Sequence, residues 1–214
     1  MPSGEIGFNN QKELMTDTMS LFFAFLTVVA NAAVLGAIVL ISGARRSRAL
    51  ARMLARVRAQ LALHGTWLAW LVAVVAMTGS LFYSEVANFP PCTLCWYQRI
   101  AMYPLAAVLF VGAVLRDRRI HLYALPLVMV GGAISTYHYL LERAPNIGSS
   151  ACEVTNPCTV VWVWEFHYIS IPFMALSAFA LILTLLLLTP RPESTDTIEP
   201  STTVETEERQ GEFV

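Results

Sequence analysis

Met19–Ser42 reads MSLFFAFLTVVANAAVLGAIVLIS, 24 residues without one charge. A helix rises 1.5 Å per residue, so about 20 apolar residues cross the roughly 30 Å of hydrocarbon in a bilayer. Four further runs follow: Thr66–Ser84 with 19 residues, Ile100–Leu115 with 16, Leu122–Leu141 with 20 and Ile169–Leu188 with 20. The run at 100–115 is long enough only if its helix starts near Cys92, which places Arg99 in the first turns. Backbone polar groups in lipid must be satisfied within their own segment, so the runs are expected to be helices. The chain reads as an all-α integral membrane protein.

Composition points the same way. Of 214 residues, 56% are hydrophobic and 14% charged, where soluble domains carry about 25% charged residues. Hydrophobicity this high excludes disorder as the main theme. A net charge of −1 gives no global reason for a nucleic-acid partner.

The charges are sorted along the chain. Arg45, Arg46, Arg48, Arg52, Arg56 and Arg58 lie between the first two runs, and Arg116, Arg118 and Arg119 lie between the third and fourth. These nine of fourteen basic residues belong in the cytoplasm by the positive-inside rule. The segments on the opposite side, 85–99 and 142–168, hold only Arg99 and Arg143. The expected orientation in the plasma membrane is N-terminus outside and C-terminus inside. The first run lacks a basic leader and is too long for a cleaved signal peptide.

The organisation expected is an exported segment over 1–18, a membrane helix over 19–42, a basic linker over 43–65, a four-helix bundle over 66–188 and a tail over 189–214. In the linker, Leu50, Met53, Leu54, Val57 and Leu61 follow helical spacing, with arginines on another face. That pattern suggests an amphipathic helix lying on the anionic inner leaflet. The tail has three prolines, seven acids and two arginines, a composition expected to stay disordered.

The chemistry lies in four cysteines, all in outer-side segments by this topology. Cys92 and Cys95 form a CxxC, and Cys152 and Cys158 a second pair five residues apart. Three readings compete. Structural disulfides are the default outside the cytoplasm, yet a CxxC closes too small a loop to stabilise much. Four thiolates can hold zinc, although the second pair is not another CxxC. Redox exchange suits a CxxC that switches between dithiol and disulfide. Arg99, four residues beyond Cys95, stands on the same helix face about 5–6 Å away. There it can stabilise a thiolate, as can the helix N-terminus, or it can snorkel to lipid headgroups. Trp96, Tyr97, Trp162 and Trp164 suit an interfacial aromatic belt.

The stretch Pro91-Cys92-Thr93-Leu94-Cys95-Trp96-Tyr97-Gln98-Arg99, continuing through Tyr103-Pro104-Leu105, resembles the DsbB family of membrane disulfide-bond formation proteins, in particular its Gram-positive-type BdbC branch. Tyr123-Ala124-Leu125-Pro126-Leu127, Gly131-Gly132, Tyr137-His138-Tyr139-Leu140 and the later cysteine pair agree in order and spacing. The resemblance spans about 66–188. It implies a DsbB-like four-helix bundle with one extra N-terminal transmembrane helix, since helix one, the linker and the tail fall outside the family pattern.

It further implies an enzyme that reoxidises an extracytoplasmic thioredoxin-like thiol oxidase, DsbA- or BdbD-like, and passes the electrons to a ubiquinone- or menaquinone-type acceptor. Cys152 would meet the partner, Cys158 would attack Cys92, and Cys95 would face the quinone. Arg99, Gln98 and His138 would line the quinone site. An inert structural or metal-handling membrane protein is the alternative from another class. A vitamin K epoxide reductase-like enzyme is a third reading, disfavoured because there the loop pair precedes the CxxC.

Overall fold

A computed structural model describes residues 3–117, 119–144, 152 and 156–190. Five helices, all long and apolar enough to cross a membrane, account for most of them. They are α1 (Ser3–Ala44), α2 (Arg48–Leu81), α3 (Thr93–Leu115), α4 (Ile120–Arg143) and α5 (Ile171–Leu188). The only β-type pairing among the described residues is an isolated bridge, Glu165 with Ile169. The tail beyond residue 190 lies outside the described residues.

Helices α2 to α5 pack in a ring, each against its two neighbours, while α1 leans from outside on α2 and α5. Small residues let the backbones approach closely, as membrane helix pairs require. Ala69 and Ala73 of α2 and Ala101 of α3 are buried with Leu105, Val128 and Phe179 in the central core. Gly131 of α4 seats the Phe179 ring so closely that a Cβ there would collide with it.

Helix α2 departs from the sequence expectation. The arginine-rich segment is not a separate helix lying on the inner leaflet; from Arg48 onward it is the first half of α2. Leu54 and Leu61 pack into the protein with Leu40 of α1 and Leu188 of α5, flanked by Leu50 and Val57. Met53 alone of the expected stripe faces out, 56% exposed. The physical reason is register. The stripe continues in phase into the apolar run that follows, and no proline interrupts it. At 34 residues the helix is about 51 Å long, so the arginines project beyond the hydrocarbon.

Connectivity then fixes the two ends of the bundle. Helix α2 runs from the arginines to the cysteine end, α3 runs back to Arg116, and α4 returns to the loop that holds Cys152 and Cys158.

Candidate redox site

The chain leaves α2 through a π-helical turn, Phe82–Val86. It then passes Pro90-Pro91 and enters α3 with Cys92 as the capping residue, as the span-length argument required. Cys92 has extended backbone, and its sulfur accepts a hydrogen bond from the Cys95 amide at 3.3 Å. The two sulfurs are 2.8 Å apart and not bonded, whereas Cys152 and Cys158 are joined as a disulfide. Two sulfurs of the four are therefore committed to each other, which removes the four-thiolate zinc arrangement.

Both pairs meet in one packed cluster. Buried Cys92, Leu94, Leu141 and Cys158 form its centre, with Cys95 and Cys152 at its edge. Cys158 is 1% exposed; Cys152, on the same disulfide, is the more open sulfur. A crevice of about 30 Å³ touches Cys92, Cys95, His138 and Cys158. Asn156 holds the loop against the CxxC by donating to the Pro91 carbonyl at 3.2 Å.

His138 stands at the centre of the crevice, 46 residues from Cys92 in sequence. The buried Gln98 amide donates to its Nδ1 at 3.0 Å, which leaves the proton on Nε2. That Nε2 donates to the Cys158 carbonyl at 3.2 Å and lies 3.7 Å from the Cys92 sulfur. Cys92 is consequently an acidic thiol. Hydrogen bonding from Cys95 and then from His138 outweighs burial and holds it at about 4, against about 8.5 for a free thiol.

Arg99 takes a different partner from the one sequence spacing suggests. Its Nε donates to the Ser80 hydroxyl and its Nη2 to the Ser80 carbonyl, both at 3.0 Å, and its guanidinium lies 5.3 Å from the Trp96 ring. Among the described contacts it makes no hydrogen bond to Cys95. It does share with Cys95 and Gln98 the wall of a second, larger space. This apolar chamber of about 370 Å³ lies between α1, α2, α3 and α5.

His138 is absent from the chamber wall; it lines the crevice. Tyr83, Phe89 and Trp162 form a stack beside the chamber, with ring centroids 6.0 Å and 5.0 Å apart in turn. Trp162 thus does more than mark an interface. Phe89, next to the two prolines, and Ser80 were not singled out from sequence. Neither carries a local signal, because their partners are 73 and 19 residues away.

Cys92, Cys95 and His138 place three donor atoms within 4.8 Å, a set able to ligate a metal. The short sulfur–sulfur distance suits disulfide exchange better than two separate bonds to one ion, each of about 2.3 Å.

A model of the family "Disulfide bond formation protein DsbB" matches residues 63–189. The chain is 45% identical over 115 residues to Disulfide bond formation protein C of Bacillus subtilis, covering 53% of this chain and 83% of that one. It is 44% identical over 114 residues to a probable disulfide formation protein C of Halalkalibacterium halodurans, with the same two coverages. To a probable disulfide formation protein of Oceanobacillus iheyensis it is 46% identical over 129 residues, covering 59% and 88%. No solved structure matches the chain. The family match takes in all four cysteines, α2 from residue 63 onward and the whole of α3, α4 and α5, and on that ground the chain belongs to the DsbB family of membrane disulfide bond formation proteins.

Proposed function

We propose that this oxidoreductase takes two electrons and two protons from an extracytoplasmic thioredoxin-like dithiol protein and delivers them to a membrane quinone. The observation that carries the reading is the position of Cys95, which borders both the sulfur crevice it shares with Cys92 and an apolar chamber. Thiol exchange has access from one side and a lipid-soluble acceptor from the other.

The packing supports the following exchange steps. A partner thiolate attacks Cys152, the more open sulfur, and Cys158 leaves as a thiolate. Cys158 attacks Cys92, which opens the Cys92–Cys95 disulfide. The partner's second thiolate releases the oxidised partner from Cys152. Cys152 then attacks Cys158, restoring the loop disulfide and leaving Cys92 and Cys95 reduced. The His138 imidazole, with Nε2 3.7 Å from the Cys92 sulfur, favours its thiolate as Cys92 is released in the last of these steps.

The chamber suits a quinone. Its volume lies within the roughly 300–1,000 Å³ of small-molecule sites, its lining is apolar, and a guanidinium stands at the sulfur end. Arg99 has five N–H donors and uses two on Ser80, leaving three to hold an acceptor oxygen. Tyr103 also lines the chamber, and its buried hydroxyl has no partner among the described residues. A bound quinone supplies a two-electron, two-proton sink. The Cys92 thiolate would bond to Cys95, the chamber-facing sulfur, as the electron pair leaves, with one proton coming from the Cys95 thiol and the second from solvent. The proposed orientation puts the cysteine end and N-terminus outside the plasma membrane, with the arginine end and C-terminus in the cytoplasm.

The test is reoxidation of protein reduced with dithiothreitol and then freed of it. Added soluble quinone is expected to restore the Cys92–Cys95 disulfide, one quinol per disulfide. Thiols that persist in the presence of quinone overturn the reading.

A further inference from the structure

We infer that α1, the helix outside the family-matched region, is a working wall of the acceptor chamber and shapes which quinones enter it. The inference rests on the quinone reading above and adds a residue set to it. Phe23, Thr27, Ala30 and Ala33 line the chamber, and their spacing of four, three and three places them on one helix face. The opposite face, with Phe25, Leu35 and Val39 all more than 60% exposed, is left to lipid.

A helix serving only as an anchor would close on its neighbours. Small residues at a membrane helix interface let backbones approach, and α1 does bury Ser20, Ala24, Thr27 and Ala30. Yet this face bounds a partly open apolar space of about 370 Å³. A partly open apolar cleft of this size beside Cys95 and Arg99 has the dimensions of a small-molecule site, with room for an occupant. An apolar space with one cationic, hydrogen-bonding end takes a flat carbonyl ring followed by a hydrocarbon tail. That is the chemistry of a lipid quinone.

The wall is also held in place. Near the cysteine end, the Tyr83 hydroxyl donates to Ser20 at 3.3 Å. Deeper in the membrane, Asn31 Nδ2 donates to Ser177 of α5 at 2.9 Å. Eleven residues separate the two attachments, about 16 Å of helix, and the chamber-lining residues Phe23, Thr27 and Ala30 lie between them. Phe23 rests on Gly79 of α2, where a Cβ would meet its ring at 3.1 Å, and its ring centroid lies 5.9 Å from that of Tyr83. These contacts fix α1 at the height of Arg99.

The experiment uses the full chain in lipid nanodiscs, dithiothreitol as electron donor and decylubiquinone as acceptor. Ala30→Phe fills the chamber and is expected to raise the KM for decylubiquinone at least tenfold. Leu35→Phe, on the lipid face, should leave it within twofold of the parent. A photoreactive azidoquinone given to the parent protein should label a peptide within 19–44, a readout independent of whether Ala30→Phe folds. Label confined to α2, α3 and α5, or an unchanged KM in a well-inserted Ala30→Phe protein, overturns the role of α1 while leaving the quinone reading intact. Absence of any quinone-dependent turnover in the parent overturns both.

Discussion

A crevice of about 30 Å³ touches both Cys92 and Cys95; a chamber of about 370 Å³ touches Cys95 alone of the two. The crevice is small and bordered by a hydrogen-bonded chain: Gln98 to His138, and His138 to the Cys158 carbonyl. The chamber is apolar and built from packed helices, with Arg99 its one cation among the described lining residues. Thiolate exchange needs donors that stabilise a transferred charge, and it needs little room because sulfurs react in contact. Receiving a lipid-soluble ring needs room and few donors. The difference teaches that the CxxC works as a partition. On the proposed reading each half-reaction has its own environment, and Cys95, with Trp162 and Ile171, borders both while Cys92 borders the crevice alone.

That division can be broken most sharply at the crevice. Cys158→Ala leaves Cys152 unable to pass electrons inward, so steady-state oxidation should fall to background. A mixed disulfide between Cys152 and a thioredoxin-like partner should accumulate, seen as a reducible adduct on gels. An adduct through Cys92 or Cys95 instead would reverse the proposed order.

Arg99→Ala acts on the chamber alone. A hydrogen bond from a charged donor contributes about 1.5–3 kcal/mol, so the KM for a soluble quinone should rise roughly 10- to 100-fold. Single-turnover oxidation of a reduced partner should keep its rate. If that rate falls as well, the two sides are not separate.

His138→Ala acts on the crevice alone, and its signature is pH dependence. Alkylation of reduced Cys92 should titrate near 4 in the parent and move upward in the variant. A depressed thiol pKa also stabilises the folded reduced protein. That contribution is complete above the unfolded value of about 8.5 and is lost as pH falls through the folded one. The reduced parent should therefore lose thermal stability on acidification toward pH 4, and His138→Ala should lose less. An unchanged titration would remove His138 from the exchange chemistry.

The smallest effect concerns the scaffold that holds both spaces. Gly131→Ala forces a methyl against the Phe179 ring, and overpacking of this kind costs about 1–3 kcal/mol. Thermal unfolding in detergent should show the loss, while the KM for quinone should stay near that of the parent.

Much of this was legible without coordinates. The five spans appear as uninterrupted apolar runs, and the start of α3 at Cys92 follows from the length needed to cross a bilayer. The CxxC with Arg99 one turn on is a local pattern, readable because α3 is regular. The His138 environment was not readable. The Gln98 contact joins residues 40 apart in sequence, and the tautomer depends on it. The same holds for Ser80, which takes the guanidinium that spacing alone would direct to Cys95.

By itself the sequence determined that the chain enters lipid, how many spans it has, and where its four cysteines stand relative to them. Hydrophobic length and local motif spacing are properties of neighbours along the chain. Only the tertiary structure decided that the arginine-rich segment joins α2, that Cys158 is buried beside Cys92, and that α1 closes a chamber at Cys95. Those outcomes depend on which helix faces fit one another. Inside a membrane the hydrophobic effect does not choose between apolar faces, so small residues and a few interhelical hydrogen bonds make the choice.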